Sequence, residues 1–525
     1  MTPSRPNPSR SPVELILVAA FCAFLFFYGL GNFGLVGPDE PRYAQVAREM
    51  HERNDYITPT LNGDGWFEKP ALYYWRAMFA YETFGVKDWA ARLPSATFAL
   101  GMVVIIFFHM RRFRPGAQLD AALITASCAA VVGFSRAAST DMQLAAPFTV
   151  AMLGWYAWYE TRKKIWLFDL YFFLAIATLA KGPVAPFLAG LIVLVFCYLH
   201  GEWKTAFRTL WLPGIGVFLL ISLPWFIMVQ IENPQFFRVF ILEHNLARFS
   251  TDLFQHTKPF WYYGPILLLA LVPWTFFAVP AVVDAFRSCL NDWRNLWAEK
   301  KEPGSGVGRI NPDPFPEFLV LWAVIPILFF SVSQSKLPGY ILPAIAPFTI
   351  LTADFLLRMR GKPVSRLVIA AHAAMCGVIV GFFLVFPYYF LQGIAITGTA
   401  RLLTSLISML VFLMVYFVLR RFGLQLLRFV TLLPVILVVG FILRIAAPTV
   451  DNFYSARPVD RAIAALTHEL HAEGRPVAVM DVRRDLRYGL NFYRNQKIFS
   501  YNENEVPAVE HLLVACAESK CPGIR

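Results

Sequence analysis

The stretch Gly37-Pro38-Asp39-Glu40-Pro41-Arg42-Tyr43 stands directly after an apolar run, residues 13–35, that is long enough to span a membrane. A second polar motif, Trp66-Phe67-Glu68-Lys69-Pro70, follows before the next apolar run begins. Together the two motifs place three carboxylates, an arginine and a lysine just outside a bilayer. Charged groups in such a position are costly, which indicates a function.

The composition is that of a membrane protein. Of the 525 residues, 57% are hydrophobic and 16% are aromatic, far more than in a soluble domain. Apolar runs of roughly 17 to 25 residues recur, and each can cross a ~30 Å hydrocarbon core as an α-helix. We therefore predict an all-α polytopic membrane protein of about 13 transmembrane helices. The predicted spans are roughly 13–35, 91–110, 117–134, 141–160, 165–180, 183–200, 209–230, 262–286, 316–333, 341–357, 367–390, 402–419 and 429–447.

The net charge of +12 is distributed in a way that indicates a membrane protein and not one that binds nucleic acid. Basic residues cluster in short loops between spans, such as 111–114 and 162–164, which orients these loops towards the cytoplasm. The 37–90 loop and the turns after the third, fifth and ninth spans then share the opposite face. We interpret this arrangement as one active site, facing the periplasm of a bacterium.

The composition becomes less apolar towards the C-terminus. We predict a transmembrane domain over 1–447 and a small periplasmic α/β domain over 448–525. In the second, apolar residues at helical spacing predict helices over 460–471 and 506–514, and the run Pro476-Val477-Ala478-Val479-Met480 predicts a strand. A unit of under ~80 residues buries only a small core, so we expect it to pack against the membrane domain.

The loop that carries the two motifs contains two predicted helices, over 39–53 and 72–84, because apolar and aromatic residues recur there at helical spacing. Pro38 suits a helix start, so Asp39 and Glu40 would lie at a helix N-terminus, where the helix dipole favours ionised carboxylates. Asp39 is therefore a candidate general base, and a simple helix cap is the alternative.

The second motif supplies a cation for an anionic substrate. Lys69, together with Arg42, can clamp an anionic group of a lipid head, most simply a phosphate. Glu68 adds a further acid beside them. The surrounding aromatic residues also suit a membrane interface, so interfacial anchoring is the alternative interpretation.

Further charged residues stand at span ends on the same face. Asp141 begins a predicted helix, where it is either part of a cap with Ser139 or Thr140 or a second functional acid. Lys181 and Lys336 are each followed within two residues by a proline, and we interpret them as ligands of anions. The alternative is that they are snorkelling anchors.

A divalent metal is the one cofactor that the residues suggest. The 231–261 loop carries His244, which together with a carboxylate can bind such an ion. This loop lacks a metal-binding spacing such as His-x3-His, and no Gly-rich phosphate loop is visible in the chain.

Five motifs together resemble those of a known family. They are Asp-Glu-Pro-Arg-Tyr at 39–43, Phe-Glu-Lys-Pro-Ala-Leu-Tyr-Tyr-Trp at 67–75, Thr-Asp-Met at 140–142, Lys-Gly-Pro at 181–183 and Ser-Lys-Leu-Pro-Gly-Tyr-Ile-Leu-Pro at 335–343. In this order they are similar to the bacterial aminoarabinose transferases of lipid A, in the protein O-mannosyltransferase-like branch of the C-type glycosyltransferases. The similarity runs over about residues 10–450.

The resemblance implies the C-type glycosyltransferase fold, an undecaprenyl (polyprenyl) phosphate sugar donor and a lipid acceptor. It implies that Asp39 removes the acceptor proton, with Asp141 as a second acid, and that Arg42, Lys69 and Arg248 contact the donor phosphate. The pocket residues that it implies are Glu40, Glu68, Lys181, His244, Lys336 and Tyr340, with a metal at Glu68 and His244.

Two alternatives remain open at this stage. The first is an anionic-lipid transporter, which would also need buried cations. Transporters typically have polar residues at the midplane of several spans, whereas the charges here cluster at one surface. A protein or another glycan in place of lipid A as the acceptor would leave the mechanism unchanged. The short tail and the basic 287–314 loop carry no motif that decides between acceptors.

Overall fold

The computed structural model describes residues 11–247, 258–301, 313–388, 393, 395–469, 471 and 474–515. Helices dominate it. In the N-terminal half they are α1 (Ser11–Cys22), α2 (Asp39–Arg53), α3 (Leu72–Phe84), α4 (Asp88–Phe113), α5 (Gln118–Ser127), α6 (Ala129–Ser135), α7 (Asp141–Thr161), α8 (Lys164–Lys181), α9 (Val184–His200), α10 (Trp203–Thr209) and α11 (Leu212–Glu232).

The C-terminal half continues with α12 (Tyr263–Ala270), α13 (Thr275–Lys301), α14 (Phe315–Val332), α15 (Ile345–Arg358), α16 (Arg366–Phe386), α17 (Gly398–Phe422), α18 (Leu427–Phe441), α19 (Ala447–Tyr454), α20 (Arg457–Glu469) and α21 (Arg484–Arg494). Short π-helical segments occupy Ala23–Phe27, Arg238–Ala247 and Ile442–Ala446. Short 3₁₀ segments occupy Phe260–Tyr262, Pro338–Ala344, Gly423–Leu426 and Tyr501–Glu503.

Many of these helices are membrane spans. Among the described residues, six helical segments are long and apolar enough to cross a bilayer, with Gly398–Tyr454 taken as one, and the bent pair α5–α6 would make a seventh. The chain is therefore a multi-pass membrane protein, as its composition predicts. The predicted number of about 13 spans stays a prediction.

Two predicted spans are each broken in the structure. Span 117–134 bends by 63° between α5 and α6, and span 262–286 is interrupted between α12 and α13. The two breaks meet, because the backbone N–H of Ala129 donates to the carbonyl of Val272 at 2.8 Å. Irregular backbone is tolerated at membrane depth where protein groups satisfy it. A continuous apolar pattern does not reveal such a pairing, so the prediction of two unbroken spans was wrong.

Both predicted helices of the first loop are confirmed. Helix α2 begins after Pro38 and ends at Arg53, and the following residue, Asn54, has a left-handed φ of 52°. Between α2 and α3 the chain forms a hairpin, β1 (Thr60–Leu61) with β2 (Asp64–Gly65). The Glu49 carboxylate accepts a hydrogen bond from the hairpin-turn N–H of Asn62 at 2.8 Å. The loop is thus a folded unit held on α2.

The tail is an α/β unit, but its predicted elements are only partly right. The predicted helix 460–471 corresponds to α20, and the predicted strand corresponds to β3 (Val477–Met480). The predicted helix 506–514 was wrong, because this segment contains β5 (Leu512–Ala515), which pairs parallel to β3. Strand β4 (Ile498–Ser500) pairs parallel to the other edge of β3.

The tail packs on the first loop and on the start of α4. The Arg457 guanidinium lies 2.9 Å from Asp88 and 2.7 Å from Asp451. The hydroxyl of Tyr493 donates to Asp88 at 2.8 Å and accepts from the N–H of Leu35 at 2.8 Å. Helix α21 also lies along α2, so the tail stands directly beside the loop that carries the sequence motifs.

Candidate active site

The two polar motifs of the first loop meet at Arg42. Asp39 and Arg42 lie one turn apart on α2, with 2.5 Å between Asp39 Oδ1 and Arg42 Nη2. The same nitrogen is 3.4 Å from Glu68 Oε2. The Asp39 side chain is 54% exposed, whereas those of Arg42 and Glu68 are 10% and 18% exposed. The Asp39 carboxylate is therefore accessible to solvent, and the Arg42 guanidinium beside it is buried.

Aromatic rings enclose the Arg42 guanidinium. Its central carbon lies 5.4 Å, 5.2 Å and 5.6 Å from the ring centroids of Tyr43, Trp66 and Tyr488. Burial lowers the pKa of Arg42, but the neighbouring Tyr43, Glu68 and Asp39 outweigh it and leave the pKa raised. Arg42 therefore stays a cation that can hold a phosphate.

Several donors around Arg42 are buried without a hydrogen-bond partner among the described residues. They are Arg42 Nε, Trp66 Nε1 and Tyr74 Oη. Burial raises the pKa of Tyr74, with Glu68 contributing, so its hydroxyl keeps its proton. Buried donors are nearly always paired in folded proteins, and an unpaired cluster fits a place where a polar ligand binds.

Glu40 lies in a buried ion pair with Arg92. Its carboxylate oxygens are 2.7 Å and 3.1 Å from Arg92 nitrogens, and they accept backbone N–H groups of Val36 and Ala138 at 2.8 Å and 2.7 Å. Glu40 receives four hydrogen bonds in total and joins the start of α2 to the turn before Asp141.

Asp141 begins α7 and pairs with Lys181 at the end of α8. The distance from Lys181 Nζ to Asp141 Oδ1 is 2.5 Å. The N-cap residue Thr140 makes no side-chain cap hydrogen bond, whereas Ser139 Oγ accepts from the N–H of Asp141 at 3.4 Å. A Cβ atom added at Gly339 would collide with the Asp141 carboxylate, so only glycine permits this approach. The Tyr340 ring centroid is 5.5 Å from Lys181 Nζ. Three of the sequence motifs thus converge on Asp141.

The other predicted site residues are placed as follows. Lys69 is half-buried, with Nζ 3.2 Å from the carbonyl oxygen of Glu68. Lys336 is buried and donates to the Ser333 carbonyl at 2.5 Å. His244 lies in the π-helical segment Arg238–Ala247. Arg248 lies outside the described residues.

A metal centre is not formed by the residues that the structure describes. No group of three or more His, Cys, Asp or Glu side chains that could hold an ion occurs among them. Glu68 instead has its carboxylate beside the Arg42 guanidinium. The metal at Glu68 and His244 stays a prediction.

Two arginines that the sequence analysis missed hold the site together. Arg92 binds Glu40, and Arg76 on α3 donates to the Pro94 carbonyl at 2.7 Å and to Gln143 Oε1 at 2.5 Å. Burial lowers the pKa of Arg76 to about 10, so it remains charged at neutral pH. The sequence carries a signal for both, because each is a charge among mostly apolar neighbours in its helix.

An apolar cavity of about 240 Å³ adjoins the turn that carries Tyr340. Pro338, Ile341 and Leu342 line one side of it, and Phe134 and Leu269, which belong to α6 and α12, line the other. Its lining suits a hydrocarbon chain, and it lies beside the residues that converge on Asp141.

The chain is similar to known proteins in both sequence and fold. Residues 12–240 match the family described as dolichyl-phosphate-mannose-protein mannosyltransferase. The chain is 28% identical over 400 residues to the undecaprenyl phosphate-alpha-4-amino-4-deoxy-L-arabinose arabinosyl transferase of Shewanella sediminis, with 71% of this chain and 66% of that protein covered. With the enzyme of the same name from Serratia proteamaculans the identity is 32%, over 65% of this chain and 58% of that protein.

The chain spans less than two thirds of the length of these curated relatives. Its structure is similar to the crystal structure of ArnT from Cupriavidus metallidurans bound to undecaprenyl phosphate, with a TM-score of 0.70 at 23% identity over 94% of this chain and 86% of that one. The chain therefore has the C-type glycosyltransferase fold, and its resemblance to the aminoarabinose transferases in the protein O-mannosyltransferase-like branch is confirmed.

Proposed function

We propose that this protein is an integral-membrane glycosyltransferase. It moves a sugar from an undecaprenyl phosphate donor to a lipid acceptor such as lipid A, and the sugar is 4-amino-4-deoxy-L-arabinose or a close relative. The names of the curated relatives support the donor and the sugar. The observation that carries the proposal is the ion pair of an accessible acid, Asp39, with a buried cation, Arg42.

The reaction follows from these positions. Asp39 accepts the proton of an acceptor hydroxyl, whose oxygen attacks the anomeric carbon of the donor sugar. The bond between that carbon and the phosphate oxygen breaks, and both of its electrons leave with the undecaprenyl phosphate. Arg42 and Lys69, with Arg248, stabilise the departing phosphate. Asp141, held by Lys181, is the second acid, and Tyr340 closes the pocket.

The location and domain division are part of the proposal. The protein lies in the inner membrane of a bacterium with its active site facing the periplasm, which the basic loops on the other face support. Residues 1–447 form the transmembrane domain and 448–525 form a periplasmic domain. The apolar cavity beside Tyr340 suits a lipid chain of either substrate.

The test is transfer in a reconstituted system. Purified protein reconstituted in lipid vesicles is incubated with undecaprenyl phosphate aminoarabinose and lipid A, and the product is identified by mass spectrometry. The variant Asp39→Asn should lose at least ~100-fold in rate, because general-base catalysis contributes about 10²–10⁴. Asp64→Asn, which removes an exposed acid from the hairpin of the same loop, should retain full activity.

Full activity of Asp39→Asn would contradict the assigned mechanism. If the wild-type protein exchanged lipids between leaflets and formed no covalent product, the transporter would be supported instead. A glycosylated protein or another glycan as the product would retain the mechanism and replace the acceptor.

A further inference from the structure

Helix α21 of the tail forms part of the wall around Arg42. It is tied to α2 by the Arg48 guanidinium, which donates to the Phe492 carbonyl at 2.9 Å, and by Gln45, which is 3.3 Å from Asn495. This packing places the Tyr488 ring 5.6 Å from the Arg42 guanidinium. A residue 446 positions along the chain from Arg42 thus encloses the proposed phosphate-binding cation.

Arg484 contacts the same Tyr488 ring from the solvent-exposed side of α21. It lies one turn before Tyr488 on α21, is exposed, and has its guanidinium 5.9 Å from the same ring centroid. The other arginines of this turn are neutralised, since Arg483 lies 2.9 Å from Asp485 and Arg487 pairs with two glutamates. In the part of the chain that the structure describes, Arg484 forms no ion pair. Arg484, which has no carboxylate partner among the described residues, is the arginine of this turn that lies next to the site around Arg42.

The charges favour an anion at this place. Two guanidinium groups, those of Arg42 and Arg484, approach one aromatic ring, and their mutual repulsion falls when an anion binds nearby. Arg42 already has Asp39 and Glu68 as carboxylate neighbours, whereas Arg484 has none among the described residues. An exposed guanidinium held by stacking is a planar donor suited to phosphate.

We propose that Arg484 binds an anionic group, a phosphate, on the headgroup of the acceptor, and that Tyr488 is a positioning residue for Arg484 and Arg42. This inference rests on the proposed transfer reaction. The acceptor is the substrate concerned, because the donor carries one phosphate at its reacting bond, for which Arg42 and Lys69 are already in place. Arg484 is a separate, solvent-facing cation on the tail, where the headgroup of a second substrate arrives.

The test compares two acceptors in the full-length protein. Transfer is measured with lipid A that carries both phosphates and with lipid A that lacks one of them. Arg484→Ala should raise the KM for the fully phosphorylated acceptor about tenfold, the effect of losing one charged hydrogen bond, and leave the KM for the donor unchanged. The increase should be much smaller with the acceptor that lacks the contacted phosphate. Arg461→Ala, an exposed arginine on α20, is the charge-matched control.

Variants of Tyr488 should have kinetic effects that differ from those of Arg484→Ala. Tyr488→Ala should lower kcat as well as raise the KM for the acceptor, because it releases Arg42 together with Arg484. Tyr488→Phe should keep kcat and the acceptor KM at their wild-type values, since the ring and not the hydroxyl makes the contacts. A purely structural role would instead lower the melting temperature of both variants.

Defined results overturn the inference. An unchanged acceptor KM in Arg484→Ala, or equal increases in the donor and acceptor KM, would refute it while the proposed function stands. Inorganic phosphate that competes as strongly as the phosphorylated acceptor would show a general anion site. If the wild-type protein transferred no sugar, the proposed function would fail; binding of phosphorylated lipid A vesicles by wild type and Arg484→Ala would then decide on Arg484 alone.

Discussion

Substituting Glu40→Gln should destabilise the protein, because it leaves Arg92 charged and buried without its hydrogen-bonded counter-ion. The side chains of Arg92 and Glu40 are 1% and 8% exposed. Arg92 would keep neutral acceptors, among them the backbone carbonyls of Leu30 at 2.7 Å and Gly34 at 2.8 Å, in place of the paired carboxylate. A neutral amide also cannot accept all four of the hydrogen bonds that the carboxylate now receives.

The size of the effect follows from the burial. Removing one partner of a buried ion pair costs about 3–5 kcal/mol. At about 2.1 cal/mol/K per residue, the unfolding entropy of the 525-residue chain is about 1.1 kcal/mol/K. The melting temperature should therefore fall by about 3–5 °C if the chain unfolds as one unit, and by more if the first loop and its neighbours unfold separately.

The assay is thermal unfolding of the detergent-solubilised protein, followed by fluorescence. Glu82→Gln removes an exposed glutamate from α3 and should leave the melting temperature unchanged. The double variant Glu40→Gln/Arg92→Gln leaves no unpaired charge, so its loss should be smaller than the sum of the two single losses. The reasoning would be refuted if Glu40→Gln had the melting temperature of the wild type. It would also be refuted if the loss of stability in the double variant equalled the sum of the losses in the two single variants.

Three further predictions concern the site and the tail. Gly339→Ala should displace the Asp141 carboxylate and reduce transfer at least ~10-fold with an almost unchanged melting temperature; unchanged activity would contradict the close approach. Arg457→Ala should make the tail more sensitive to limited proteolysis, with Arg461→Ala as the control and equal digestion as the contrary result. Arg76→Lys should lower kcat, since an ammonium cannot make the forked contacts of a guanidinium; full kcat would oppose this.

Much of the secondary structure follows from local sequence patterns. Helices α2 and α3 have the predicted bounds, because a proline at the start and apolar residues at helical spacing act within one segment. Helix α21 was missed although Leu486, Leu490 and Tyr493 recur at helical spacing. The segment with β5 was wrong because its apolar run is short and ambiguous, and its pairing with β3 decides the structure.

The first part of the site was also local. Asp39 and Arg42 stand three residues apart, and a helix places such residues on one face, so their ion pair follows from the sequence once α2 is predicted. The apolar runs likewise determine a polytopic membrane protein, since their length matches a bilayer. These features need no knowledge of how distant segments pack.

Only the tertiary structure shows the partners of the remaining charged residues. Glu40 is a predicted pocket residue, and its buried partner, Arg92, stands 52 positions away. Asp141 finds Lys181 40 positions away, and Tyr488 reaches Arg42 from the other end of the chain. Such contacts depend on how helices and the tail pack, which no local pattern encodes. The sequence thus determined which residues carry the charges, and packing decided which charges face one another.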